Sequence, residues 1–229
     1  MTPQRLADEH DPQPVRRSEV VVEGRVWDVV RDEVDLGDAG THVREYVRHP
    51  GAVAVVALDG QGRICLVQQY RHPIRARDWE VPAGLLDVPG EPPWEAAARE
   101  LHEEADLVAG RLDVLVDLHP SPGGLDEAIR VFLARDTTPV PEHERHVREA
   151  EELGMPCVWV PLDDVVQAAL EGRLQNGVLV AAALAAKVSQ ARGFDTLRPH
   201  DVPWPQRPTS VQTAPAEPAP ADPAPAEDA

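Results

Sequence analysis

Apolar positions place most elements of this chain before any chemistry is considered. "SEVVVEGRVWDVVRDEVDL" is valine-rich with partial alternation and predicts one or two strands about Glu23–Gly24. "HVREYVRH" alternates and predicts another strand. "GAVAVVALDGQGRICLVQQYR" is two apolar runs joined by "DGQGR", which predicts a hairpin; its first run is apolar on both faces and reads as a central strand. "WEVPAGLL" carries Pro82 and Gly84 and reads as a tightly turning loop. "LDVLVDLH" and "AIRVFLAR" predict two more strands, and "PLDDVVQAALEGR" and "NGVLVAAALAAKVSQAR" predict two C-terminal helices. Strands mixed with few helices predict an α/β or α+β sandwich.

One further helix carries the chemistry. "GEPPWEAAARELHEEADL" begins with Pro92 and Pro93, suited to a first turn where a missing N–H costs nothing. Glu91 and Glu95 sit where the helix dipole favours carboxylates. Trp94, Ala98, Leu101 and Ala105 recur at helical spacing and predict an apolar stripe, with Glu100, Glu103 and Glu104 on the opposite side or flank. Like charges at this spacing repel, and three answers are open: a solvated face, a metal cage or a catalytic base. The Gly-Pro loop "VPAGLLDVPGE" just upstream can bring backbone carbonyls to the acidic face, and hard cations take oxygen ligands.

Composition narrows the class. A net charge of -18 over 229 residues, with no basic stripe, opposes nucleic-acid binding. Cys65 and Cys157 form no CxxC or zinc spacing, which argues against a disulfide framework and fits a reducing compartment. The N-terminus has no apolar run, and "GVLVAAALAA" is too short to span a bilayer, so the expectation is a cytoplasmic protein with no membrane partner. Residues 1–17 read as a flexible N-terminus, and the Pro/Ala/acid-rich residues 199–229 as a disordered tail.

"GLLDVPGEPPWEAAARELHEEADL" resembles the Nudix box, G-x5-E-x7-R-E-U-x-E-E-x-G-U with U aliphatic. Gly84, Glu91, Arg99, Glu100, Leu101, Glu103, Glu104 and Leu107 match. One extra residue separates Gly84 from Glu91, and Asp106 stands at the second glycine, a left-handed position that Asp tolerates at small cost. The wider run "QQYRHPIRARDWEVPAGLLDVPGEPPWEAAARELHEE" is similar to the ADP-ribose pyrophosphatase branch, whose marker proline corresponds to Pro122 in "SPGGLDE", sixteen residues after Asp106.

The resemblance implies a Nudix α/β/α sandwich with a mixed sheet over residues 50–198, and a small antiparallel β dimerisation domain over residues 18–49. It implies a homodimer, and Mg²⁺ as cofactor with Mn²⁺ as the alternative. Glu100 and Glu104 would be metal ligands, with the Ala83 carbonyl, and Glu103 would contribute directly or through water. Glu91 and Arg99 would tie loop to helix. The catalytic base would come from the loop "HVREAEELGM": Glu152 first, Glu151 next, Glu149 third. Arg71 would fork onto a phosphate, Glu80 would bond a ribose or adenine, and Trp27 or Tyr46 would stack on adenine. The implied reaction is hydrolysis of ADP-ribose to AMP and ribose 5-phosphate. Another ADP-sugar, a GDP-sugar or NADH is the first alternative. A non-catalytic nucleotide-sensing Nudix domain is the second, and the intact box acids and lack of a basic helix-turn-helix oppose it.

Overall fold

The computed structural model describes residues 6–147 and 154–207. Strand β1 (Val15–Val22), β2 (Asp28–Asp35) and β3 (Thr41–Arg48) form an antiparallel sheet of their own. Then come β4 (Ala52–Ala57), β5 (Arg63–Arg71), β6 (Ala76–Glu80) and β7 (Ala83–Leu85). Helix α1 (Pro93–Ala105) is followed by β8 (Leu107–Val108), β9 (Arg111–Leu118), β10 (Ile129–Arg135) and β11 (Thr138–Pro139). The chain closes with β12 (Cys157–Pro161), α2 (Leu162–Leu170), α3 (Gly177–Ala191) and β13 (Arg198–Pro199).

The central sheet runs β13-β9-β10-β4-β7; β10 and β4 are parallel and the other pairs antiparallel, so the sheet is mixed. All six residues of β4 are buried, as a strand covered on both faces requires. Its side chains alternate between two cores. Ala52, Ala54 and Val56 pack with Leu179, Ala182, Ala183 and Ala186 of α3, whereas Val53, Val55 and Ala57 pack with Ala96, Ala97 and Leu101 of α1. Helices thus flank the sheet on both sides, and the architecture is the expected α/β/α sandwich with a separate N-terminal antiparallel sheet. A fully buried leucine such as Leu101 contributes about 1.5–3 kcal/mol, which fixes α1 to the sheet. No helix among the described residues is long and apolar enough to cross a membrane.

Several expectations change. The "DGQGR" turn is tight, with the Asp59 carboxylate accepting from the N–H groups of Gln61 and Arg63 at 2.8 and 2.9 Å. Beyond a single bridge between Leu58 and Ile64, however, β4 and β5 part into different sheets, and β5 pairs with β6 and β12 instead. Both runs are apolar on two faces, and separating them lets each be covered twice. "WEVPAGLL" is not all loop: Ala83–Leu85 pairs with β4. Packing also continues past residue 198, because Val202 and Trp204 lie on the α1-side core. There the buried Arg130 guanidinium donates to the Val202 carbonyl at 2.7 Å and lies 4.8 Å from the Trp204 ring. At the other end β1 starts at Val15, within the stretch expected to be flexible.

Candidate functional site

The register of α1 differs from the predicted stripe. Ala98 is exposed and Trp94 half-buried, while Ala96, Ala97, Glu100, Leu101, Glu104 and Ala105 are buried. Two of the three glutamates therefore face inward, at 9% and 4% exposure. Burying a carboxylate is costly unless donors or cations meet it, and this edge of α1 meets the β7 backbone. Glu104 accepts from the Ala83 N–H at 2.9 Å and from the Gln69 amide, on β5, at 3.2 Å. Glu100 lies so close to Gly84 that a Cβ built there would fall 2.1 Å from its Oε1. Only glycine lets strand and carboxylate approach this far, which gives a physical reason for the first residue of the box.

Arg99 organises the outer edge. Its guanidinium forks onto Glu91, with Nε and Nη2 each 3.1 Å from a carboxylate oxygen, so loop and helix are tied as expected. Nη1 donates to Glu100 and, at 3.2 Å, to Glu103. The bonds to Glu91 and the charge of Glu100 push the arginine pKa up. Asp106 ends α1 in the left-handed conformation (φ 55°, ψ 40°), its N–H reaching back to the carbonyls of His102 and Leu101. Asp thus fills the glycine position without altering the helix end.

Among the described residues, no three His, Cys, Asp or Glu side chains already converge as a metal cage. Glu100 and Glu103 turn toward Arg99, and Glu104 toward β7. The donor set nonetheless suits a hard cation: carboxylate oxygens on adjoining helical turns, two of them on buried residues, beside a close-approaching backbone.

A cavity of about 360 Å³ opens beside this edge, lined by His49, Arg71, Glu80, Ala83, Glu127 and Asn176 among others. Arg71 and Glu80 are brought together, but to each other: Nε and Nη2 of Arg71 lie 2.7 and 2.6 Å from the two carboxylate oxygens. The fork expected for a phosphate holds Glu80, which is buried, while the arginine side chain is 44% exposed. Trp27 does not line the cavity; it is exposed between β1 and β2. Tyr46 lies on β3, half-buried, and burial together with Asp32 and Asp126 pushes its phenol up to about 12. Glu149, Glu151 and Glu152 lie outside the described residues.

Sequence reasoning missed four polar residues. His49, Glu127 and Asn176 line the cavity, and Gln69 supports Glu104. The His49 N–H donates to Asp126 at 2.7 Å, and its Nδ1 lies 3.5 Å from Glu127, so the β3–β4 connection is pinned to the segment before β10. Burial pushes the Asp126 carboxyl up despite that bond. Asn176 had a readable signal, since it directly precedes an apolar helical run. It caps α3 by accepting from the Leu179 N–H at 2.9 Å and donates to Asp78 of β6 at 3.1 Å. The other three join segments distant in sequence, and no local pattern marks them.

Comparison with known proteins agrees with this geometry. The model of the NUDIX domain matches residues 48–182. An ADP-ribose pyrophosphatase of Mycobacterium tuberculosis is 43% identical over 209 residues, covering 91% of this chain and 99% of that protein. An ADP-ribose pyrophosphatase of Bacillus subtilis is 40% identical over 133 residues, covering 58% of this chain and 71% of that protein. A solved structure described as an ADP compounds hydrolase superposes with a TM-score of 0.66 at 23% identity, covering 82% of this chain and all of that one, and so shares the fold. A box helix whose acids face a glycine-bearing strand, a domain match over more than half the chain and a relative alike from end to end lead to one conclusion: the chain belongs to the Nudix hydrolase family.

Proposed function

We propose that this protein hydrolyses the pyrophosphate bond of ADP-ribose, taking up one water and releasing AMP and ribose 5-phosphate. The observation that carries the reading is the burial of Glu100 and Glu104 against the Ala83–Gly84 backbone. Two inward carboxylates on one helix edge repel each other and cost desolvation, and a bound divalent cation relieves both. Glu100, Glu103, Glu104 and the Ala83 carbonyl would hold Mg²⁺, or Mn²⁺ in its place. When bound, the cation neutralises phosphate charge and acidifies water.

The chain's own residues do the rest. Arg99 and Glu91 fix the helix against the loop, and Gln69 and the Ala83 N–H orient Glu104. Arg71 presents a cation at the cavity wall, held by Glu80, where its charge can meet a diphosphate. Glu152, or its neighbour Glu151, accepts the proton of the attacking water. Full-length likeness to an ADP-ribose pyrophosphatase supports the substrate.

The active unit is a homodimer joined through the β1–β3 sheet, which would let Trp27 of one subunit serve the nucleoside pocket of the other. That sheet and its loop expose Val15, Val20, Val22, Val26, Trp27 and Val43, more apolar surface than a solvated sheet needs. The working compartment is the cytoplasm.

Measuring kcat/KM with Mg²⁺ over ADP-ribose, ADP-glucose, GDP-mannose and NADH tests the substrate. ADP-ribose is expected to lead by about tenfold or more. A lead by any other compound overturns the substrate and leaves the box chemistry standing.

A further inference from the structure

Spacing argued against pairing of Cys65 and Cys157, but the fold brings them together. They are 92 residues apart in the chain, and their sulfurs lie 2.7 Å from each other. The cause is the strand register. Cys157 of β12 is opposite Val67 and Trp159 is opposite Cys65, so the cysteines are diagonal neighbours on one face of the β12–β5 pair. That face points toward α1: Cys65 is fully buried in the core that holds Ala97 and Leu101, and Trp159 packs against the same core. Cys157, at the start of β12, is exposed.

We propose that Cys65 and Cys157 are a modification site, an intramolecular cross-strand disulfide formed by peroxide. A disulfide places its sulfurs about 2.05 Å apart, so closure asks each side chain for only a small shift on a ladder already paired. The exposed partner meets the oxidant first. The Cys157 thiolate attacks hydrogen peroxide, its S–O bond forms as the O–O bond breaks, and hydroxide leaves to be protonated as water. The Cys65 thiol then attacks that sulfur; the S–S bond forms, the S–O bond breaks, and the departing hydroxide takes the Cys65 proton as a second water. Both thiols are oxidised by one electron each and the peroxide is reduced by two.

The bond would close a long loop. Between the two cysteines lie β6 through β11 and the whole of α1 with Glu100, Glu103 and Glu104. Fixing the ends of such a segment restricts the unfolded chain. The oxidised protein is therefore expected to melt about 5–10 °C higher than the reduced protein. Either state of the pair leaves the substrate reading as it stands.

The test uses the full chain, reduced with dithiothreitol, desalted, treated with stoichiometric hydrogen peroxide, quenched, unfolded and alkylated with N-ethylmaleimide. Intact mass is expected to show both thiols alkylated before treatment and neither after, with the mass of the unalkylated product reduced by two hydrogens. No covalent dimer should form, and dithiothreitol should restore both thiols. Cys157→Ser should keep Cys65 alkylatable after peroxide, and Cys65→Ser should leave a dimedone-reactive sulfenic acid at Cys157. Two alkylatable thiols after peroxide would overturn the proposal. So would sulfinic acid at Cys157 with Cys65 still alkylatable. The wild-type masses decide the matter even if a variant fails to fold.

Discussion

Glu104 accepts from the Ala83 N–H and the Gln69 amide and Glu100 touches a glycine, so each carboxylate is placed by a residue outside α1. Gly84 is the sharper of these constraints. A methyl group there would fall 2.1 Å from the Glu100 carboxylate, and one of the two must move. Gly84→Ala is expected to keep the far-ultraviolet circular dichroism of the wild type and to lose about 10–100-fold in Mg²⁺-dependent turnover, since displaced ligands and supports typically cost that much. A Gly84→Ala enzyme of undiminished activity would show that the close approach is only packing. The spacing from Gly84 to Glu91, Arg99 and the three glutamates was legible in the sequence because it recurs as a fixed pattern. The reason for the glycine was not, because the atom it makes room for lies sixteen residues further along the chain.

Helices were easier to read than their faces. α1 starts at Pro93 and ends at Asp106 as its grammar predicts, yet its buried side includes Glu100 and Glu104. An apolar stripe drawn from hydrophobicity alone treats every carboxylate as solvated, and that assumption fails where a neighbouring strand supplies N–H donors. Sheet membership was the least legible feature. β4 and β5 adjoin in sequence but enter different sheets, because their partners β10 and β12 come much later in the chain. α3 is positioned by its cap: Asn176 holds the first turn and reaches across to Asp78. Replacing Asn176 with alanine removes both bonds and is expected to cost about 1 kcal/mol, lowering the melting temperature by about 2–4 °C. Serine at this position should recover most of the loss, since it can cap but not reach Asp78. An unchanged melting temperature for Asn176→Ala would mean that α3 is held by its apolar face alone.

The whole molecule joins a two-sided sandwich to an N-terminal sheet whose apolar residues lack cover among the described residues. Sedimentation equilibrium at micromolar concentration is expected to give twice the 25.0 kDa chain mass. Val20→Asp with Val43→Asp should shift it toward one chain. A wild-type protein that sediments as a single chain would remove the dimer and leave the box unaffected. The box itself was legible from one helix, whereas the cavity beside it draws on the β3–β4 connection, β4, β7, the segment before β10 and the start of α3, and so exists only in the folded chain. If the inward glutamates of α1 perform cation-dependent pyrophosphate hydrolysis, both the cation and Glu104 are indispensable to turnover. The most direct test is product analysis after ADP-ribose is incubated with wild-type protein and with Glu104→Gln, each with Mg²⁺ and with EDTA. Equal amounts of AMP and ribose 5-phosphate are expected from the wild type with Mg²⁺ only, and at least about a 100-fold lower rate from Glu104→Gln. Full turnover by Glu104→Gln, or turnover by the wild type in EDTA, would contradict this mechanism.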